Sequence, residues 1–267
     1  MRNKSGSATA ATASTSFVTI FKPNPGARLR LFCFPFAGGS SASFRSWISE
    51  FPLEVQEITE LCAVRLPGHE MRPNETLASH IDPIVRELLP TWAAYGSLPF
   101  VFFGHSMGTL VSFELARELR RWRMPGPVHM VVSGHRAPQL PDPRPGIHAL
   151  ADSEFLEALR SYGGTPDAVL ENPELIQLFM PVLRADFSVC ETYKYRPEEP
   201  LDCPITAFGG LDDPTVTPGE LAAWKAQTRQ AFSLRMFPGD HFFLRSSQTL
   251  LLRMLAHELK QVFRRLR

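Results

Sequence analysis

The chain of 267 residues contains no apolar run of the length that a bilayer demands. "FVTIF" near the N-terminus is cut short by Lys22 and Pro23, so it cannot serve as the apolar core of a signal peptide. Cysteine is sparse: Cys33, Cys62, Cys190 and Cys203 form no CxxC pair, which argues against a zinc site or a disulfide scaffold and for free thiols in a reducing compartment. An excess of either charge is also missing. With 28 Lys and Arg against 27 Asp and Glu the net charge is +1, which excludes a global attraction to nucleic acid or to an anionic membrane. Neither GxxxxGK[ST] nor GxGxxG occurs, which weakens a phosphate-cradling role for the glycine-rich turns, and there is no internal repeat. The first sixteen residues lack acids and, after Met1, any large apolar side chain. Such a segment cannot bury enough surface to offset the entropy of ordering, so 1–16 is expected to be a disordered tail. These absences lead to a cytoplasmic chain with no membrane or nucleic-acid partner.

What is present is the composition of one soluble globular domain over 17–267, 44% hydrophobic and 21% charged. Short apolar runs at 29–34, 61–66, 100–103, 129–134, 204–209 and 234–237 read as buried strands. Between them, 43–51, 77–95, 107–123, 218–229 and 246–264 read as helices. Alternation of this kind predicts an α/β fold, a mostly parallel sheet with helices on both faces and functional loops at the carboxyl ends of the strands. Residues 150–195 break the alternation with two or three helical patterns and no strand, and so read as an inserted helical lid. One pattern opens on an Asp-Ser cap signal at 152–153; another carries a proline, Pro181, expected to kink it.

The stretch "FVFFGHSMGTLVSFELA" places Ser106 between Gly104 and Gly108 where a strand gives way to a helix. This is the G-x-S-x-G nucleophile elbow in the context the motif requires, a tight turn that leaves no room for side chains at the flanking glycines. A serine hydroxyl needs a base and an orienting acid, which in this architecture follow in the order Ser, Asp/Glu, His. "PITAFGGLDDPTV" offers Asp212 and Asp213 after one strand, and "LRMFPGDHFFL" offers His241 after the last. His257 lies within the terminal helix, and His105, beside the nucleophile, is given a packing role. The oxyanion hole needs two backbone N–H groups. Met107 supplies one; "CFPFAGGSSASF" supplies the other, from Ala37 or alternatively Phe36.

Five motifs in order, "FCFPFAGGSSASFRSW", "RLPGHEMRPNE", "FFGHSMGTLVSFELARELR", "LRADFSVCETYKYRPEEPLDCPITAFGGLDDPTV" and "FPGDHFFL", resemble the type II thioesterases that accompany polyketide and nonribosomal peptide synthetases. The resemblance covers about 28–262. It implies an α/β-hydrolase fold and hydrolysis of acyl thioesters held on the phosphopantetheine arm of an acyl or peptidyl carrier protein, through an acyl-serine, with no metal or cofactor. Some relatives instead release medium-length fatty acyl chains. An esterase or an acyltransferase would use the same triad, and a binding module is disfavoured because every triad position is filled. Of the two acids, Asp213 is chosen: it stands immediately before Pro214, as in the family's "DP" signature, and proline restricts it to extended angles. Asp212 is then a turn residue whose carboxylate caps local N–H groups. The family more often has arginine where His69 stands, a departure expected to touch surface detail alone.

Phe155, Leu156, Leu159, Phe179, Leu183 and Phe187 fall at helical spacing in the lid and are expected in part to wall an acyl channel. A monomer is expected. Two basic clusters, 117–123 and 260–267, are the surfaces offered to an acidic carrier.

Overall fold

A computed structural model describes residues 17–70, 75–164 and 167–266; the expected N-terminal tail lies outside them. Seven strands form one sheet: β1 (Val18–Thr19), β2 (Leu29–Phe34), β3 (Thr59–Val64), β4 (Phe100–His105), β5 (His129–Ser133), β6 (Ile205–Gly210) and β7 (Phe232–Phe237). Their order across the sheet is β1-β3-β2-β4-β5-β6-β7, with β1 antiparallel to β3 and every other pair parallel. β4, which carries the elbow, is central.

Successive residues of a strand face opposite sides, so a strand that is apolar at every position needs cover on both. Phe32, Phe34, Phe100, Phe102, Met130 and Val132 pack on one side, beneath α3 (Ile81–Tyr95) and α4 (Met107–Arg121). Leu31, Cys33, Val101, Phe103 and Val131 pack on the other, beneath α1 (Trp47–Glu50), α2 (Leu53–Ile58) and α10 (Gln248–Arg265). Two full cores thus grip the sheet and fix its register. All four cysteines are free, and burial raises their thiols, that of Cys203 to about 12.

The departures from the sequence reading have local causes. β1 is only two residues long, too short for a periodicity to register. β3 starts and ends two residues early, because Leu66, Pro67 and Gly68 already turn. The helix expected over 43–51 is a 3₁₀ turn at Ser41–Phe44 followed by α1, and Pro52, which cannot donate an amide, separates α1 from α2. The helix expected over 218–229 is α8 (Pro218–Ala222) continued as a 3₁₀ turn to Gln227. A short α9 (Phe243–Ser246) precedes α10.

Between β5 and β6 lie α5 (Asp152–Tyr162), α6 (Asp167–Leu170) and α7 (Pro173–Glu191). They share a core of Ile147, Phe155, Leu159, Leu170, Ile176 and Leu183, separate from the two on the sheet. The Asp-Ser cap is not formed: Ala151 is the N-cap of α5, and Asp152 sits in the first turn, where its charge favours the helix dipole. α7 is capped by Asn172, whose side chain accepts from the Glu174 and Leu175 amides, and it continues through Pro181. Among the described residues no helix is long and apolar enough to cross a membrane, and no cluster of His, Cys, Asp and Glu could hold a metal ion.

Candidate active site

The end of β4 and the start of α4 form a turn whose pivot, Ser106, has φ 52° and ψ −120°. A non-glycine residue at positive φ is strained and persists only when its surroundings hold it. Here they do. The Ser106 amide donates to the Ser133 carbonyl at 2.8 Å, and the Thr109 hydroxyl lies 2.7 Å from the Gly104 carbonyl while accepting the Ser133 amide at 3.1 Å. The flanking glycines are dictated by backbone approach. A Cβ on Gly104 would stand 2.3 Å from the Gly108 carbonyl oxygen, and one on Gly108 would stand 2.2 Å from that of Phe34.

Past the ends of β6 and β7, His241 Nδ1 meets Asp213 Oδ2 at 2.8 Å. The Asp213 side chain is wholly buried, and its other oxygen accepts the Thr215 amide at 2.8 Å and the Thr215 hydroxyl at 2.7 Å. Burial alone would raise this carboxyl, but the bonds from His241 and Thr215 outweigh it and hold its pKa below the usual carboxylate value. Asp212 is exposed, and among the described residues its carboxylate has no partner. The local cap expected of Asp212 is made instead by Asp213 on the Thr215 amide. Thr215 itself was not singled out from the sequence. The visible signal was a hydroxyl two residues beyond an aspartate in a turn.

His105 is fully buried, bonds Ser133 through Nδ1 at 2.9 Å, and packs with its ring 5.2 Å from that of His241. Burial, aided by the neighbouring His241, depresses its pKa well below that of an ordinary histidine, so it is a neutral ring packed beside His241. His257 lies on α10.

Ser106 and His241 line a common cleft of about 870 Å³ with Phe36, Ala37, Thr215 and Phe242. Phe36 through Gly39 make a turn closed by the Gly39 amide on the Phe36 carbonyl at 2.8 Å, with Gly38 at φ 70°. Among the described residues neither the Ala37 nor the Met107 amide has a partner of its own, and Ala37 lies on the cleft wall. Of the lid residues, Leu159, Leu183 and Phe187 face the cleft. Phe179 lines an adjoining hollow that also touches Ala37 and Gly38, whereas Phe155 is buried in the lid's own core against Phe187. Leu156 packs on that core too. The remaining wall is charged: Arg136 and Arg144 both bond Asp142, at 2.5 Å and 3.2 Å, with Tyr162 and Glu191 beside them. The cleft thus combines the apolar lid side chains with a charged group.

Two further expectations need correction. His69 does not belong to the surface; it is 5% exposed and bonded to Asp186, a fully buried carboxylate on α7. In the basic cluster at 117–123 three of the four arginines meet acids, since Arg117 is 2% exposed and bonded to Glu114 and Arg120 and Arg121 pair with Glu198, while Arg123 is exposed. In the cluster at 260–267, Lys260 pairs with Glu54, while Arg264 and Arg265 are exposed on the last turn of α10.

An elbow serine on a central strand, a histidine–aspartate pair after the last two strands and a helical insertion over the strand ends define an α/β-hydrolase. Residues 29–259 match the model of the thioesterase domain family, and the chain belongs to that family, whose members hydrolyse thioesters. It is 45% identical over 239 residues to the gramicidin S biosynthesis protein GrsT of Aneurinibacillus migulanus, covering 90% of this chain and 92% of that one. Its structure resembles the RedJ thioesterase from the prodiginine pathway of Streptomyces coelicolor, with a TM-score of 0.79 at 38% identity over 87% of this chain and 86% of that one. It likewise resembles the type II thioesterase BorB from the borrelidin biosynthetic cluster, with a TM-score of 0.81 at 34% identity over 91% of this chain and 97% of that one.

Proposed function

We propose that the chain is an editing thioesterase that removes acyl groups from the phosphopantetheine arm of an acyl or peptidyl carrier protein, by way of an acyl-serine at Ser106. The observation that carries this reading is the buried Asp213–His241 pair in the same cleft as a serine on a strained elbow. Because Asp213 holds the proton on Nδ1 of His241, Nε2 is the nitrogen free to take the proton of Ser106. Ser106 Oγ then attacks the thioester carbonyl, and the Met107 and Ala37 amides receive the oxyanion. The thiolate leaves with a proton from His241, and a water deprotonated by the same nitrogen releases the acyl group as a carboxylic acid. The α4 N-terminus adds a favourable dipole at the oxyanion.

The cleft supports short or polar acyl groups over long alkyl chains. A chain running past Leu159, Leu183 and Phe187 would meet Asp142 and Arg144, whose partly exposed charges would lose water to an alkyl group and gain no bond from it. The relatives named for antibiotic pathways favour a carrier-bound substrate. The test is single-turnover hydrolysis of a panel of acyl-carrier proteins. Ser106→Ala should reduce the rate by at least about a thousandfold with the fold intact, since the turn depends on its glycines and not on the hydroxyl. Retention of more than about a hundredth of the wild-type rate would remove Ser106 from the mechanism.

A further inference from the structure

Outside the triad the protein contains a second buried histidine–aspartate pair, and it joins three segments distant in sequence. His69 lies in the loop after β3. Its Nδ1 is 3.0 Å from the Pro67 carbonyl, and its Nε2 is 3.0 Å from both oxygens of Asp186 on α7. Asp186 in turn accepts the Gly38 amide at 2.7 Å, in the turn after β2 that carries Ala37. The approach is close on every side: a Cβ on Gly38 would stand 2.5 Å from Leu183 of α7. The next residue of the loop braces the same turn from behind, since Glu70 accepts the Ser41 amide at 2.7 Å and the Ser41 hydroxyl at 3.0 Å.

The chemistry of the contacts sets the charge of His69. A carbonyl and a carboxylate are acceptors only, so both ring nitrogens must donate and the ring in this arrangement is an imidazolium. A charge of that kind, buried with its counter-ion, is costly to form and costly to break, because removal of either partner leaves the other unpaired. Nothing in the reaction proposed for Ser106 and His241 uses it. We propose that the His69–Asp186 ion pair is the positioning device of the oxyanion turn: by holding the Gly38 amide it sets the direction of the Ala37 N–H, and it clamps lid helix α7 to that turn.

The inference rests on the thioesterase reading and adds to it a pH limit. Among the described residues the charged groups facing His69 are acids, Asp186 from α7 and Glu70 on its own loop, and the acid Glu75 accepts the amide of Gly68, one residue back. Cys190, one turn along α7 from Asp186, stays a neutral thiol because burial raises it. Burial alone would lower the His69 pKa, but bonding to Asp186 outweighs it and the net shift is upward. A raised histidine pKa means that the pair is intact below it and is lost as pH rises through it. Turnover should therefore fall on the alkaline side as the brace loosens.

The experiment measures kcat and KM across pH for hydrolysis of an acyl-pantetheine thioester by the wild type, His69→Gln, His69→Arg and Asp186→Asn. Loss of the brace should lower kcat about tenfold to a hundredfold, less than loss of an oxyanion donor outright, with KM changed little. His69→Arg, a donor that stays charged, should recover most of the kcat lost in His69→Gln and hold it at alkaline pH where the wild type declines. A packing role alone would lower thermal stability in every variant and leave the pH profile unmoved. As a check that needs no variant, the affinity of the wild type for a trifluoromethyl ketone, whose adduct presents an oxyanion, should weaken over the same alkaline range. Wild-type kcat and pH profile in His69→Gln, or ketone affinity that ignores that range, overturns the proposal. Failure of the wild type to hydrolyse any thioester would instead overturn the reading beneath it.

Discussion

The two histidine–aspartate pairs are alike in their parts and opposite in their use. In each an imidazole nitrogen meets a fully buried carboxylate, at 2.8 Å for His241–Asp213 and 3.0 Å for His69–Asp186, and in each the carboxylate also accepts a backbone amide. The difference lies at the other nitrogen of the ring. His69 has a carbonyl there, so while the brace is intact both of its protons are held in hydrogen bonds and the ring is charged. His241 lines the cleft with Ser106, and in the proposed mechanism it takes and returns a proton there without breaking its tie to Asp213. A histidine closed at both ends holds structure, and one left open at one end can move protons.

The largest effect expected from this contrast is at Asp213. Asp213→Asn should lower kcat by about ten-thousandfold, because an amide can fix the wrong tautomer of His241 and cannot stabilise the imidazolium formed during attack. Asp186→Asn should cost at least a hundredfold less than that, about tenfold to a hundredfold, because its carboxylate acts through the Gly38 amide. Rates of the two variants on one acyl-pantetheine thioester make the comparison. Equal losses would break the distinction between a working pair and a bracing one.

Thr215 sharpens the contrast next. Its hydroxyl lies 2.7 Å from Asp213 and 3.0 Å from His241 Nδ1, a tie that the Asp186 pair lacks. Thr215→Val keeps the shape and the amide bond, so kcat should fall about three- to tenfold, the net worth of one ordinary hydrogen bond. A variant with unchanged kcat would show that the amide alone orients Asp213. In the lid, Phe187→Ala widens the apolar wall of the cleft and should shift preference toward longer acyl chains more than it changes the rate on acetyl substrates. A uniform change across chain lengths would mean that Phe187 only packs against Phe155 and Tyr162.

The same contrast explains what could be read from the sequence. The sheet was legible because strands buried on both faces are apolar at every position, and the elbow was legible because Gly104 and Gly108 answer a steric demand that is local to five residues. That Asp213 and His241 would meet could be read because each directly follows a strand of the sheet, and the structure joins them at 2.8 Å. The bracing pair spans 117 residues between His69 and Asp186, and neither half has a local pattern to betray it. Seen along the chain, "PGHE" is a polar turn and Asp186 is a charge inside a helix, and only the folded chain makes them one object. The pairing within the basic cluster at 117–123 was hidden for the same reason, since Glu198, which engages Arg117, Arg120 and Arg121, stands more than seventy residues away in sequence.

The smallest effect is expected at the acid beside the triad. Asp212 and Asp213 are consecutive, and neighbouring residues of an extended segment send their side chains to opposite sides, so only one can reach His241. Pro214 keeps Asp213 in extended backbone, its carboxylate turned inward and wholly buried, while the Asp212 amide is tied to the Gly239 carbonyl at 3.0 Å and its side chain is left in solvent. Removing an exposed charge with no partner changes little beyond long-range field, which salt screens within roughly 10 Å. Asp212→Asn should therefore keep kcat within about twofold of the wild type and leave thermal stability within experimental scatter, given that exposed substitutions away from special contacts rarely matter. The measurement is made beside Asp213→Asn under one set of conditions. A collapse of activity in Asp212→Asn with Asp213→Asn still active would reverse the assignment and make the buried pair at His241 a brace like the other.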